Sequence, residues 1–250
     1  MPEQVLIEIC VDAAQAAVAA QQGGARRVEL CAGLVEGGTT PSAGLIALTR
    51  QSITIGLHVL IRPRRGDFLY TDLEFEIMKQ DIRVARQLGA DGVVTGILQA
   101  DGHIDMPRMQ ELVALAAPMS VTFHRAFDLA ADPYKALDDL LALKIPRLLT
   151  SGQKATAFEG TPLIAELVRR AGDQLVIMPG GGVNEQNIRE IVSNTGVTEI
   201  HTSARSRSES AMIFRRADVS MSGTQELSEY ELLAADAARV SCLRQAAVSV

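Results

Sequence analysis

The strongest constraint on this chain is an alternation of short β-branched runs and longer segments with helical spacing, which repeats every 20 to 35 residues or so. Strands that are separated by helix-length connections pair in parallel, because each crossover helix returns the chain to the same edge of the sheet. Eight runs have strand character, and they are residues 5–10, 27–31, 56–61, 92–95, 121–124, 147–150, 175–178 and 198–201. The pattern predicts an α/β protein, a single-domain (β/α)8 TIM barrel over residues 1–250.

The rhythm changes after the eighth run. Residues 202–225 are rich in serine, arginine and glycine and show no regular period, so we predict a long loop or extension over 202–227. A C-terminal helix is predicted over 228–246. No segment has the composition of a linker that would divide the chain.

The composition of the chain argues against nucleic acids and membranes as binding partners. The 250 residues carry a formal net charge of -6, whereas a nucleic-acid surface needs concentrated positive charge. No apolar run reaches the roughly 18 residues that a membrane span requires. The first residues, Met1 to Gln4, lack a basic leader, and the three cysteines are too few for a secreted disulfide framework, so we expect a cytoplasmic protein without nucleic-acid or membrane partners.

Charged residues inside the predicted strands require an explanation, because buried charges are costly unless they are paired. Glu8 and Glu29 lie in the first two strands, and Arg62 or Arg125 is expected to pair with them across the barrel mouth. Two interpretations remain open. The four residues form a structural ion-pair network, or Glu8 and Glu29 are catalytic acids or bases beside cations that orient a substrate.

Histidines and cysteines also fall at strand ends. His124 stands beside Arg125 and near Asp128, which permits a catalytic histidine that a carboxylate orients, although a single histidine is often structural. His201 ends the eighth strand. Cys10 and Cys31 close adjacent strands at matching positions, so their thiols are expected within several ångströms; they suit Cu(I) or zinc, or they are small buried hydrophobic residues.

Two loops suit a phosphate or a carboxylate. Gly180, Gly181 and Gly182 follow the seventh strand, where barrels of this kind hold phosphates, although a tight turn explains the glycines equally well. Arg62 opens a loop with three arginines that are either anion ligands or solvated charges. A Schiff-base aldolase is disfavoured, since only Lys154 lies outside the predicted helices.

Several motifs together resemble the CutC family, which is named for copper homeostasis. They occur in the same order over residues 5 to about 246, and they are RVELC at 27–31, GGTTPS at 37–42, IRPR at 61–64, GDF at 66–68, TFHRAFD at 122–128, LTSG at 149–152 and GGGV at 180–183. The resemblance implies a TIM barrel, a homodimer and a copper role through Cys31, with Cys10 as its neighbour. Val11 and Arg65 depart from the family pattern, at a second-cysteine position and at a glycine position.

The leading functional interpretation is therefore a CutC-like protein of copper homeostasis that binds Cu(I) through cysteine thiolates. The alternative is a TIM-barrel enzyme that acts on a small anionic substrate, with Arg62, Arg125, His201 and the glycine loop as binding groups. A non-catalytic binding module is the third possibility.

Overall fold

The computed structural model describes residues 5–216, 218–219 and 228–248. Eight parallel strands form one sheet, in the order β7-β6-β5-β4-β3-β2-β1-β8, that curls into a nearly closed ring. The strands are β1 (Leu6–Val11), β2 (Arg27–Leu30), β3 (Gly56–Leu60), β4 (Gly92–Thr95), β5 (Ser120–Phe123), β6 (Arg147–Thr150), β7 (Val176–Pro179) and β8 (Glu199–Thr202). The predicted TIM-barrel fold is confirmed.

Helices surround the ring. They are α1 (Ala14–Gln22), α2 (Ala43–Ser52), α3 (Asp72–Gln87), α4 (Met106–Ala116), α5 (Pro133–Ala142), α6 (Thr161–Ala171), α7 (Ile188–Thr195) and α8 (Ala237–Val248), with 3-10 turns at Leu34–Glu36, Arg125–Leu129 and Gly172–Gln174. Local sequence fixes several of their starts. Thr71 and Glu74 form a capping box at α3, and the Asp132 carboxylate accepts the Tyr134 and Lys135 amide N–H groups at α5.

The residues on each strand alternate between the helix layer and the ring interior. Val28 and Leu30 of β2 are fully buried in the apolar core, whereas their neighbours Arg27 and Glu29 contact polar groups of β1 and β8. The ring therefore has an apolar outer layer and a polar interior near the first, second and eighth strands.

The C-terminal segment differs from the prediction. Arg205–Glu209 (β9) pairs antiparallel with Glu231–Ala235 (β10), so the last helix begins at Ala237 and not at residue 228. The run from 231 to 235 has helical composition, but pairing with β9 satisfies its backbone, and Asp236 caps the helix by accepting the Arg239 amide N–H at 2.9 Å. Residues 217 and 220–227 of the predicted loop lie outside the described residues.

Candidate functional site

A cavity of about 580 Å³ opens at the carboxyl ends of the strands. Its volume is in the range of small-molecule sites, and its position is where TIM barrels place their chemistry. The residues that line it come from the ends of β1, β2, β3, β5, β6 and β8 and from the following loops, and they include Cys10, Glu29, Cys31, Leu34, Arg62, Phe68, His124, Arg125, Asp128, Gly181, Gly182, His201, Thr202 and Ser203.

Two thiols meet at this cavity. Cys10 near the end of β1 and Cys31 just after β2 place their Sγ atoms 3.3 Å apart, and both side chains are buried. The close approach follows from the parallel pairing of the two strands, as the sequence suggested. The hydrogen bond to Cys31, together with burial and the nearby Glu29, raises the pKa of Cys10 well above its ordinary value. Cys242 is exposed on α8 and lies apart from the pair.

His201 and Glu29 stand next to Cys10. One ligand atom from each of these three residues lies within 4.8 Å of the other two. The His201 Nδ1 atom is 2.7 Å from Glu8 Oε1, and Nε2 is 3.5 Å from Glu29 Oε2. Burial lowers the pKa of His201, but the hydrogen bond to Cys10 and the charges of Glu29 and Glu8 outweigh it and raise that pKa well above the ordinary value. These contacts favour the charged imidazolium form of His201.

Glu29 and Glu8 differ in protonation. Burial raises the pKa of Glu29 above its ordinary value, so this carboxyl group can hold or release a proton beside the cavity. Burial acts on Glu8 in the same direction, but Arg27 and His201 more than compensate and lower the pKa of Glu8 far below its ordinary value. Among the described residues, Glu29 lines the cavity and Glu8 does not. Glu29 can therefore contact a ligand in the cavity directly, whereas Glu8 lies behind His201.

The expected pairing of Glu8 and Glu29 with Arg62 or Arg125 is wrong. Glu8 lies opposite Arg27 in the β1–β2 register and forms an ion pair with it. Arg27 also reaches Glu199, which binds Arg147 at 2.6 Å. The four residues form a buried network under His201. Sequence reasoning did not assign Arg27, Arg147 and Glu199 to this network, although all three are charged residues within strands.

Arg62 and Arg125 line the cavity but are held by other partners. Arg62 donates to the carbonyl oxygens of Gly38 at 2.7 Å and Gly66 at 2.9 Å, and its guanidinium lies 5.2 Å from the centroid of the Phe68 ring. Arg125 donates from Nε to Asp128 and from Nη2 to Ser151, each at 2.7 Å. Each guanidinium is thus fixed in position before any ligand arrives.

His124 follows β5 directly and contacts the same aromatic ring. Its ring centroid lies 4.7 Å from that of Phe68, and its Nδ1 accepts the Ala126 amide N–H at 3.2 Å. The expected carboxylate that orients His124 is absent from the described structure, because Asp128 accepts hydrogen bonds from Arg125 and Ser151 instead. Burial and the charge of Arg62 lower the pKa of His124 to about 3. The imidazole is therefore neutral, with its proton on Nε2.

Two of the three glycines in the loop after β7 line the cavity. Gly181 and Gly182 line the cavity, whereas Gly180 packs against Leu149 and His201. Gly181 has φ of +100°, and a Cβ atom there would lie 3.1 Å from Arg125 Nη1, so glycine both permits the turn and leaves room for the guanidinium. Phe68 and Ser203 also line the cavity, and no local pattern in the sequence identifies them.

Comparisons with known proteins agree with the motifs. The model of the CutC family matches residues 5–206. The copper homeostasis protein cutC homolog of Mus musculus is 50% identical over 245 residues, which cover 98% of this chain and 90% of the mouse protein. A CutC family protein of Chromobacterium violaceum is 51% identical over 241 residues, 96% of this chain and 97% of that protein.

Solved structures give the same fold. The crystal structure of the putative copper homeostasis protein CutC from Streptococcus agalactiae matches with a TM-score of 0.76 and 37% identity, over 79% of this chain and 97% of that one. Phosphoribosylanthranilate isomerase of Thermotoga maritima matches with a TM-score of 0.58 at 13% identity, over 98% of this chain and 100% of that one, a likeness of fold alone. Within the described residues, none of the helices is long and apolar enough to cross a membrane.

Proposed function

The chain belongs to the CutC family, and from that premise we propose that it serves copper homeostasis by binding Cu(I) as cargo through the thiolates of Cys10 and Cys31. One observation carries the proposal, the 3.3 Å separation of the two Sγ atoms at the cavity. Two sulfurs less than about 4.6 Å apart can share one ion at a metal–sulfur distance of about 2.3 Å. Soft thiolates are the ligands that select Cu(I).

The surrounding charges can balance Cu(I) between two thiolates, which forms when the ion displaces the thiol proton that the raised pKa of Cys10 retains. Cu(I) between two thiolates carries a net charge of -1, and the His201 imidazolium beside Cys10 compensates it. The network below is balanced, because Glu8 and Glu199 face Arg27 and Arg147. Glu29 offers a harder carboxylate that suits Cu(I) poorly.

An anaerobic competition titration against a chromogenic Cu(I) chelator tests the proposal. We expect one Cu(I) per chain, bound more tightly than micromolar, and a loss of at least 100-fold in affinity in Cys10→Ser/Cys31→Ser, since losing only a residue that orients a metal ligand already costs about 10- to 100-fold. Cys242→Ser is the matched control, because it removes an exposed thiol from α8 and should bind as the unmodified chain does. Micromolar or weaker binding that is unchanged in the double variant would exclude the site.

The homodimer that the family resemblance implies stays a proposal, and so does the cytoplasmic location expected from the sequence. The exposed side chains of Ile213 and Phe214, beyond β9, are apolar surface of the kind that subunit contacts cover. Light scattering on the purified chain tests it, with about twice the chain mass of 26.8 kDa expected. A mass of one chain at micromolar concentration would contradict the dimer.

A further inference from the structure

The cavity contains polar groups that copper cargo does not use. Arg62, His124 and Arg125 line it together with Phe68 and the glycine loop. Two of these groups are cations, which repel a metal ion and attract an anion. The volume of about 580 Å³ also exceeds what a single ion between two thiolates occupies, and it matches the space that small organic ligands fill.

Arg62 carries a buried charge that its partners do not neutralise. Its side chain is 7% exposed, and its hydrogen bonds go to the backbone carbonyl oxygens of Glu36, Gly38 and Gly66. In the described part of the chain, no carboxylate forms an ion pair with it. A buried cation without a counter-ion is costly, and a bound anion removes that cost.

His124 presents a hydrogen-bond donor beside that charge. Because Nδ1 accepts the Ala126 N–H, the proton of the neutral ring is on Nε2. Within residues 5–216, 218–219 and 228–248, this buried Nε2 has no hydrogen-bond partner. His124 and Arg62 contact the same Phe68 ring, at 4.7 Å and 5.2 Å, so one ligand can meet both groups.

Arg125 adds a second guanidinium. Asp128 and Ser151 bind its Nε and Nη2 atoms, and Gly181 leaves the space beside Nη1 open. Asp128 already compensates the charge of Arg125, so Arg125 would mainly orient a bound anion through its hydrogen bonds. The uncompensated positive charge comes from Arg62.

We propose that the cavity binds a small organic anion, with its carboxylate or phosphate group against Arg62 and Arg125 and one of its oxygens accepting the Nε2–H of His124. This goes beyond copper binding, and it adds His124 as a hydrogen-bond donor to the binding groups of the enzyme alternative. His124 serves as a neutral donor in this arrangement and not as a base.

Thermal unfolding of the full chain with added anions tests the proposal. We compare inorganic phosphate and malonate with chloride at matched ionic strength, so that the two arms separate a phosphate site from a carboxylate site. Mass action predicts a rise in melting temperature that grows with the logarithm of the anion concentration and reaches about 5–11 °C at 100 times the dissociation constant for a chain of this size. If neither phosphate nor malonate exceeds chloride, the proposal is overturned.

Substitutions locate the effect. Arg62→Met removes the buried charge and should abolish the rise, while Arg189→Gln on the exposed face of α7 is the control and should keep it. His124→Leu removes the donor and should weaken binding at least tenfold, whereas His124→Gln retains an N–H donor and should recover most of the affinity. A rise that persists in Arg62→Met and in His124→Leu contradicts the site, and the His124 pair decides the question if Arg62→Met does not fold.

The outcome is separable from copper binding. Cys10→Ser/Cys31→Ser should keep the anion-dependent rise, and His124→Leu should keep Cu(I) affinity, because neither change touches the other set of ligands. If one variant keeps the native melting temperature but loses both Cu(I) binding and the anion-dependent rise, a single set of residues binds both ligands. The proposed separate anion site would then be wrong.

Discussion

Replacing Arg27 with methionine removes the cation that joins two buried glutamates inside the barrel. Arg27 forms ion pairs with Glu8 and Glu199, and its side chain is only 6% exposed, against 0% for Glu8. Methionine retains most of the apolar volume but leaves the Glu8 carboxylate with His201 alone, at 2.7 Å. Arg147 continues to bind Glu199 at 2.6 Å.

The cost follows from the burial of these groups. Removing one partner of a buried ion pair destabilises a protein by about 3–5 kcal/mol, because the remaining charge loses its compensation without regaining water. His201 and Arg147 each retain part of that compensation, so we expect the lower end, about 3 kcal/mol. For a chain of this length that corresponds to a fall in melting temperature of about 6–12 °C.

Thermal unfolding at pH 8 measures the effect, with Arg189→Met on α7 as an exposed control that should melt as the unmodified chain does. Arg27→Met/Glu8→Gln should recover part of the loss, because it also removes the uncompensated carboxylate. The pH dependence has a definite sign. Arg27 lowers the pKa of Glu8, and without Arg27 burial raises it, so the deficit of Arg27→Met should shrink as the pH falls from 8 to 5. A variant that melts within about 2 °C of the unmodified chain would refute the reasoning.

Three further predictions concern the site and its surroundings. Cu(I) affinity should rise with pH between 6 and 8, by up to tenfold per pH unit for each thiol proton released, because the pKa of Cys10 lies above that range. A dissociation constant for Cu(I) that does not change with pH in the chelator competition would contradict this. Burial lowers the pKa of His58 to about 4, so the unfolded chain binds a proton between about pH 6.5 and 4 that the folded chain excludes, and stability should fall as the pH decreases over that interval. In His58→Leu the melting temperature should depend less on pH over the same interval. Gly92→Ala should lower the melting temperature, since the added Cβ would lie 2.5–2.7 Å from three ring atoms of His58, and the double variant with His58→Ala should restore it. An unchanged melting temperature in Gly92→Ala would show that the ring moves freely.

Most of the barrel could be predicted from the sequence because its elements are locally encoded. Each strand is a short apolar run, and each helix has a length and spacing that suit a crossover connection. The C-terminal helix was placed too early for a physical reason. Residues 231–235 have helical composition, but they pair with Arg205–Glu209, and a pairing partner more than twenty residues away leaves no local signal.

The candidate site, like the fold, could be predicted from the sequence only in part. Alternation along the strands placed Cys10, Cys31, Glu29 and His201 at the barrel mouth, because a strand end has a fixed position in such a fold. Alternation could not assign partners. Glu8 pairs with Arg27 and not with Arg62, since the register of β1 against β2 decides which side chains are adjacent.

The sequence by itself determined the fold class, the eight strands and the set of polar residues at their ends, because hydrophobic periodicity is written into neighbouring residues. Only the tertiary structure decided the 3.3 Å separation of the two sulfurs, the raised pKa of His201, the lowered pKa of His124 and the unneutralised charge of Arg62. These properties depend on burial and on contacts between residues that are distant in sequence. The physical reason is that the protonation of a side chain is set by its neighbours in space.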